Sequence, residues 1–343
     1  MGSRANMIIV EGGSYSIYYD HWAAQTMDRK VFWGPEHLFE WIMSHPNEEP
    51  EPWLDERWCE GGVLLDLDSR LLLFFGGEEL LFDFTLKETF LKMLPYNWTG
   101  WEIRWAKRGI VDLTEYVGHD LDDVIVEFEH EILSHEKARE YLQTGEWPRE
   151  VLISLTDNNG CSVALCAERG NYLSLGEKLL VLLRPVLTEQ TIEIGYDAGV
   201  QEGFHLDVVN KRLMFWDVTT YSGRYLDFLK QQWPGWDVVD LQDDFLQHVR
   251  LLGNRVSFES VDENSVLEQL KRIVCGKERG ADAYTSSYEV LVNHGYKVEV
   301  NPSFFQTTPM AFGETSREKQ FDEIREQYLR SPNRINWKML ASG

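Results

Sequence analysis

His130 and His135 bracket Glu131-Ile132-Leu133-Ser134, close to the His-Glu-x-x-His pattern by which a helix binds zinc. Zinc needs both imidazoles on one helical face. Five positions turn the second ring about 140° from the first, so this spacing describes a solvated helix and not a ligand pair. Asp20-His21-Trp22 sets an acid beside an imidazole, but neighbours on a strand point to opposite faces, and no Gly-x-Ser-x-Gly supplies a nucleophile. Gly76-Gly77-Glu78-Glu79 is a poor phosphate cradle, because Glu78 and Glu79 repel an anion and no P-loop lysine follows. Cys59, Cys161, Cys166 and Cys275 form neither a disulfide framework nor a zinc set. Cys161 and Cys166 are an odd number of positions apart and are expected on opposite faces of one strand. No catalytic residue, metal or cofactor is expected.

Carboxylates and indoles remain. Asp120, Asp122 and Asp123, followed by Glu127, Glu129 and Glu131, form the densest acidic run. Val124, Val126 and Phe128 alternate with Ile125, Glu127 and Glu129, which predicts a half-buried strand with its acids outward. The run lacks the spacing of a calcium loop. A second acidic stretch, 47–58, carries Glu48, Glu49, Glu51, Asp55 and Glu56 around Trp53 and Trp58. Carboxylates beside aromatic anchors are what an interface toward a basic protein requires. With Glu78 and Glu79, these residues are the expected partner-binding set.

The elements that must position them come in two copies. Gly62-Val63-Leu64-Leu65-Asp66-Leu67 is echoed by Gly203-Phe204-His205-Leu206-Asp207-Val208, and Arg70-Leu71-Leu72-Leu73-Phe74 by Arg212-Leu213-Met214-Phe215-Trp216. Trp98-Thr99-Gly100-Trp101 is matched by Trp233-Pro234-Gly235-Trp236, and Gly118 by Gly253. Matches in one order at a nearly fixed offset point to a tandem duplication. Paired apolar runs around turn residues predict hairpins, and the stripe Leu86, Phe90, Leu91 and Leu94 predicts an amphipathic helix. The implied unit is β-β-α-β-β-α-β-α, an antiparallel sheet with helices on one face, giving an α+β protein.

Copy one is placed at 7–118, an acidic connecting segment at 119–149, copy two at 150–254 and a smaller α+β region at 255–343. In that last region, Val266–Val274 and Arg317–Leu329 are expected to be helical, the latter with Phe321, Ile324 and Tyr328 on one face. Tyr288–Val292 and Tyr296–Val300 are expected to form a hairpin around Asn293-His294-Gly295.

The chain has 343 residues, 43% of them hydrophobic, with 13 Trp and a net charge of −24. By segment the charge is −10, −6, −7 and −1, so the acidity belongs to the copies and the stretch between them. Such a surface repels nucleic acid and anionic membranes. No signal peptide or run of about 20 apolar residues is visible, and a cytoplasmic location is expected. The functional expectation is a binding protein without catalysis, for instance an immunity protein or antitoxin neutralising a basic toxin. The competing expectation is an enzyme with a site between the copies, using His21, Asp66 or Asp207.

Overall fold

The computed structural model describes residues 3–45, 53–126, 131–143, 150–166, 168–195, 199–219, 223–258, 261–276 and 314–335. The fold is mixed α+β: among the described residues there are two five-stranded sheets, a two-stranded sheet and eleven helices. No helix among them is long and apolar enough to cross a membrane. The chain divides into two compact units. One comprises 1–80, 86–120 and 263–335; the other comprises 81–85, 121–262 and 336–343.

The first unit contains β1 (Ala5–Glu11), β2 (Ser14–Asp20), α1 (Met27–Val31), α2 (Pro35–Met43), β3 (Gly61–Asp66) and β4 (Leu71–Phe75). The short helix α3 (Glu78–Phe82) then leads into α4 (Phe84–Met93), β5 (Glu102–Trp105) and α5 (Ile110–Val117). Its sheet runs β2-β1-β3-β4-β5.

The second unit opens with α6 (His135–Gln143), β6 (Val151–Asp157), β7 (Gly160–Cys166) and α7 (Leu179–Leu183). It continues through β8 (Ile192–Ile194), β9 (Glu202–Asp207), β10 (Arg212–Asp217) and α8 (Gly223–Gln232), and ends with β11 (Asp237–Asp240), α9 (Phe245–Leu252) and β12 (Val256–Phe258). Its sheet runs β7-β6-β9-β10-β11. The strand order of the first sheet recurs.

Two features differ from the sequence expectation. The sheets are mixed, not antiparallel: the hairpins pair antiparallel, whereas β1 with β3, β4 with β5, β6 with β9 and β10 with β11 pair parallel. Between β4 and β5, and between β10 and β11, a crossover that contains a helix carries the chain back along the sheet, so the next strand runs parallel. Strands β3 and β9 start at the end where the hairpin strands β2 and β7 stop, and so run parallel to β1 and β6. Helices also cover both faces. In the second unit Ile153, Phe204 and Phe215 pack with Tyr225, Leu229 and Trp233 from α8 and the turn after it. On the other face Leu152, Met214 and Trp216 pack with Phe245, Val249 and Leu252 of α9. In the first unit Phe74 meets Phe90 of α4 at 6.1 Å. A Cβ on Gly62, next along the neighbouring strand, would lie 2.9 Å from Leu113 of α5. Strands buried on both faces read as continuous apolar runs, as Val63–Leu65 and Leu71–Phe75 do.

The turns fix the register between the units. Arg70 and Lys211 are two of three described non-glycine residues with positive φ, 55° and 51°. Asp66 accepts the backbone N–H groups of Asp68 and Ser69, and Asp207 accepts that of Asn210. Arg70 therefore corresponds to Lys211, and Leu71 to Arg212; the expected match of Arg70 with Arg212 is one residue out, because both turns have the same length. The Trp98 indole donates to Val31 O at 2.8 Å and the Trp233 indole to Leu173 O at 2.7 Å. Gly34 and Gly176, both with positive φ, pass so near Asn97 O and Gln232 O that a Cβ would lie 2.9 and 2.4 Å from them.

Helices α10 (Glu263–Cys275) and α11 (Glu314–Arg330) belong to the first unit. Phe321, Ile324 and Tyr328 are buried, and Phe321 stacks on Phe32 at 5.7 Å. Lys271–Asp322 and Arg325–Glu268 ion pairs link the two helices. The division by sequence set 255–343 apart; apolar faces of α10 and α11 that cannot be buried alone account for their joining the first sheet. The expected hairpin at 288–300 lies outside the described residues.

Candidate functional site

Only part of the expected binding set gathers at one place. Glu48, Glu49, Glu51, Glu127 and Glu129 lie outside the described residues, as does the Glu78 side chain. Trp53 is not a free anchor. Its ring stacks on His119 at 4.8 Å and meets Tyr15 edge-on at 6.1 Å, while the Tyr15 hydroxyl bonds His119 Nδ1 at 3.0 Å. Leu54 N–H donates to Asn6 Oδ1 at 2.8 Å and ties this segment to β1. Asp55 spends its carboxylate on the N–H groups of Arg57 and Trp58, forming a turn, and Glu56 is half-buried. Trp58 is 49% exposed, with the Arg4 guanidinium over its ring at 4.8 Å. Glu79, Asp120, Asp122 and Asp123 are exposed. The acidic strand expected from 120 is absent in 120–126: Leu121–Asp123 is a 3-10 turn and 124–126 are not in strand conformation. Four polar residues within five positions, His119, Asp120, Asp122 and Asp123, favour a turn over a pleated run.

The residues of the enzyme expectation are otherwise engaged. Asp66 and Asp207 cap their hairpins, and Tyr116 donates to Asp66 at 2.5 Å. His21 bonds the Tyr19 hydroxyl at 2.9 Å, while Asp20 accepts from His45 Nε2 at 3.0 Å. Burial works to raise the Asp20 carboxyl, but the bonds from His45 and the Trp22 backbone outweigh it and hold the group below its usual range. His135 begins α6, and Cys161 and Cys166 join opposite faces of the second sheet. Burial pushes the Cys59 thiol up to about 12, so it is unreactive near neutrality.

The richest polar chemistry lies in the interior of the second unit, and sequence reasoning missed it. Ser154 on β6 is fully buried, and its hydroxyl meets His205 Nδ1 on β9 at 2.8 Å and His248 Nε2 on α9 at 2.7 Å. The Trp216 indole N–H on β10 donates to His248 Nδ1 at 2.9 Å. An indole nitrogen only donates, so His248 Nδ1 is the acceptor and its proton sits on Nε2. That proton goes to Ser154, whose own proton has two acceptors in reach, His205 Nδ1 and Phe204 O at 3.4 Å. The proton of the neutral His248 ring is thereby placed. Desolvation lowers His248 to about 3 and His205 to about 4. A serine between imidazoles resembles a nucleophile with its base. Among the described residues no carboxylate is bonded to either ring, and Ser154 and His248 are 0% exposed, so the arrangement is closed to solvent.

A second cluster lies at one end of the same sheet. Arg169 bonds Glu202 at 3.2 Å, Asp217 at 2.5 Å, and also Gln201 and Thr219. One guanidinium faces two buried carboxylates. Burial, then the Asp217 charge, pushes Glu202 up to about 7, and burial raises Asp217 as well. In the first unit the corresponding strand positions are Gly61 and Gly76, and a Cβ on Gly61 would lie 2.7 Å from Ala24. Burial also pushes Asp28 up to about 7 there, beside Gly77. Among the described residues no group of three or more His, Cys, Asp or Glu is arranged to hold a metal ion.

Comparison with protein-family models, with curated proteins and with solved structures yields no match to this chain.

Proposed function

We propose that the protein is a non-catalytic binding module that offers acidic, aromatic surface to a basic protein. One observation carries the reading. Trp58 is 49% exposed, whereas every other indole of the described residues is partly or fully buried. A large aromatic ring held in water by a turn and a guanidinium is the type of anchor that dominates interface energetics. The net charge of −24 favours a basic partner, steered to the surface by long-range attraction. A concrete form is an immunity protein or antitoxin that covers the basic cleft of a toxin such as a nuclease.

The test is a pull-down from the native host with wild type and Trp58→Ala, followed by binding kinetics at several salt concentrations. A basic partner held by wild type, at least about tenfold weaker retention by Trp58→Ala, and an on-rate that falls with salt are expected. Equal retention by the two forms, or an on-rate indifferent to salt, overturns the proposal.

We further infer that the two units descend from a tandem duplication spanning 7–118 and 150–254. The shared strand order, the left-handed Arg70 and Lys211, and the paired Trp98 and Trp233 indole bonds support it. Related sequences in which only one half keeps these positions would count against it.

A further inference from the structure

In the second unit, α9 is held on the sheet by a polar chain in which His248 has no place for another proton. The chain runs from the Trp216 indole through His248 and the Ser154 hydroxyl to His205. His248 Nδ1 already accepts from Trp216, and its Nε2 proton goes to Ser154. Protonating His248 Nδ1 sets donor against donor, and protonating either ring leaves a charge in a dry interior, which is costly.

The charged groups on the packed elements do not relieve this. Among the described residues the charge acting on His205 is Asp207, which is engaged with Asn210 at the hairpin. The one charge acting on His248 is His205 itself, which disfavours protonation. Arg212 pairs with Asp237, Asp244 caps α9 through Gln247 N–H, and Arg250 is exposed. Glu202 and Asp217 alternate onto the opposite sheet face, against Arg169.

The corresponding layer of the first unit is apolar. Register and strand order place Ile8 at the position of Ser154, Leu64 at that of His205 and Phe75 at that of Trp216. Helices α5 and α9 have eight residues each, and their alignment places Leu113 at the position of His248. All four are buried. None of these four titrates. Beside them Asp66 accepts from Tyr116 of α5. Although burial works to raise its carboxyl, the bonds from Tyr116 and the Ser69 backbone hold it below its usual range, so it stays ionised in mild acid.

We propose that α9 is an acid-operated latch: in mildly acidic solution it releases from the sheet of the second unit, while α5 of the first unit stays docked. The sign follows from linkage. Both imidazoles bind protons less readily in the closed state than in water. Closure is therefore fully favoured above the ordinary histidine value of about 6.5 and is lost as pH falls toward the closed-state values of about 4 for His205 and about 3 for His248. Glu202 and Asp217 work in the opposite direction, gaining protons more readily when folded, but they sit on the face that α9 does not cover.

The test is hydrogen exchange of the full chain at pH 7 and pH 4.5, corrected for intrinsic rates. Amides of Phe245–Leu252 should lose protection by at least about a hundredfold, because two pH units below 6.5 shift a single imidazole equilibrium by that factor. Amides of Ile110–Val117 should lose far less. A fourfold variant carrying the residues of the first unit, Ser154→Ile, His205→Leu, Trp216→Phe and His248→Leu, should abolish the difference. Imidazole nitrogen shifts in the wild type give a reading that needs no variant: at pH 7 His248 should carry its proton on Nε2 alone. Equal acid responses of α5 and α9, or a His248 protonated on Nδ1 at pH 7, overturn the proposal.

Discussion

The two units share strand order, hairpin turns and paired tryptophans, yet fill the same interior layer with opposite chemistry. In the first unit Ile8, Leu64, Phe75 and Leu113 close it with apolar contacts. In the second, Ser154, His205, Trp216 and His248 close it with three hydrogen bonds. The backbone frame accepts either solution, so what it demands is that each position be filled and each polar atom answered. The apolar layer is indifferent to pH and to the loss of any one neighbour's polarity. The polar layer stands or falls as a set, because each hydrogen depends on the one before it. A similar contrast holds at the sheet end, where Gly61 and Gly76 leave room for Ala24 and Glu202 and Asp217 instead share Arg169.

The contrast can be broken most severely by putting one polar member in the wrong unit. Leu64→His places an imidazole among apolar side chains with no serine or tryptophan to answer it. A loss of about 3 kcal/mol or more is expected in urea unfolding, from an unpaired buried polar group together with lost packing. Tolerance within about 0.5 kcal/mol would show that the layer is not closed as described.

A smaller effect separates the two glycines. Gly176→Ala sets a Cβ 2.4 Å from Gln232 O, whereas Gly34→Ala sets it 2.9 Å from Asn97 O. Both incur strain of order 1–3 kcal/mol, and Gly176→Ala should lower the thermal midpoint further. The reverse order would show that the second unit yields more easily along that turn.

The smallest expected change is at the hairpin caps. Asp66→Ala removes acceptors for two backbone N–H groups and for Tyr116, and Asp207→Ala removes acceptors for the Asn210 backbone and side chain. The freed N–H groups of Asp68, Ser69 and Asn210 lie on exposed turn residues and are met by water, so losses of about 1 kcal/mol are expected, with Asp66 the more sensitive. Unfolding of the separate variants in denaturant measures the ranking.

Much of this frame was legible in the residues. Val63–Leu67 and Leu71–Phe75 showed a hairpin because apolar runs flank a turn, and Gly118 and Gly253 marked where α5 and α9 end. The parallel pairings were not legible, since a strand's own residues say that it pairs but not with which neighbour. The polar layer escaped for a related reason: Ser154, His205 and His248 lie on separate elements, 51 and 94 positions apart along the chain for the two bonds. A signal was nevertheless present. His205 stands in the echo of Gly62–Leu67 at the place of Leu64, a core position turned polar in one copy alone. The acidic run from Asp120 misled because alternation was read without asking what strand could pair with it.

The first unit is assembled from segments that precede and follow the second sheet in the chain, with Phe321 of α11 closing over Phe32. During synthesis the ribosome therefore delivers every residue of the second sheet before α10 and α11 exist. The second sheet can close while the nascent chain is still growing, whereas the first must hold Phe32 and its neighbours open until α11 emerges. Of the two sheets, the one made first is completed second, and a chaperone that shields nascent apolar surface would find its longer-lived target there.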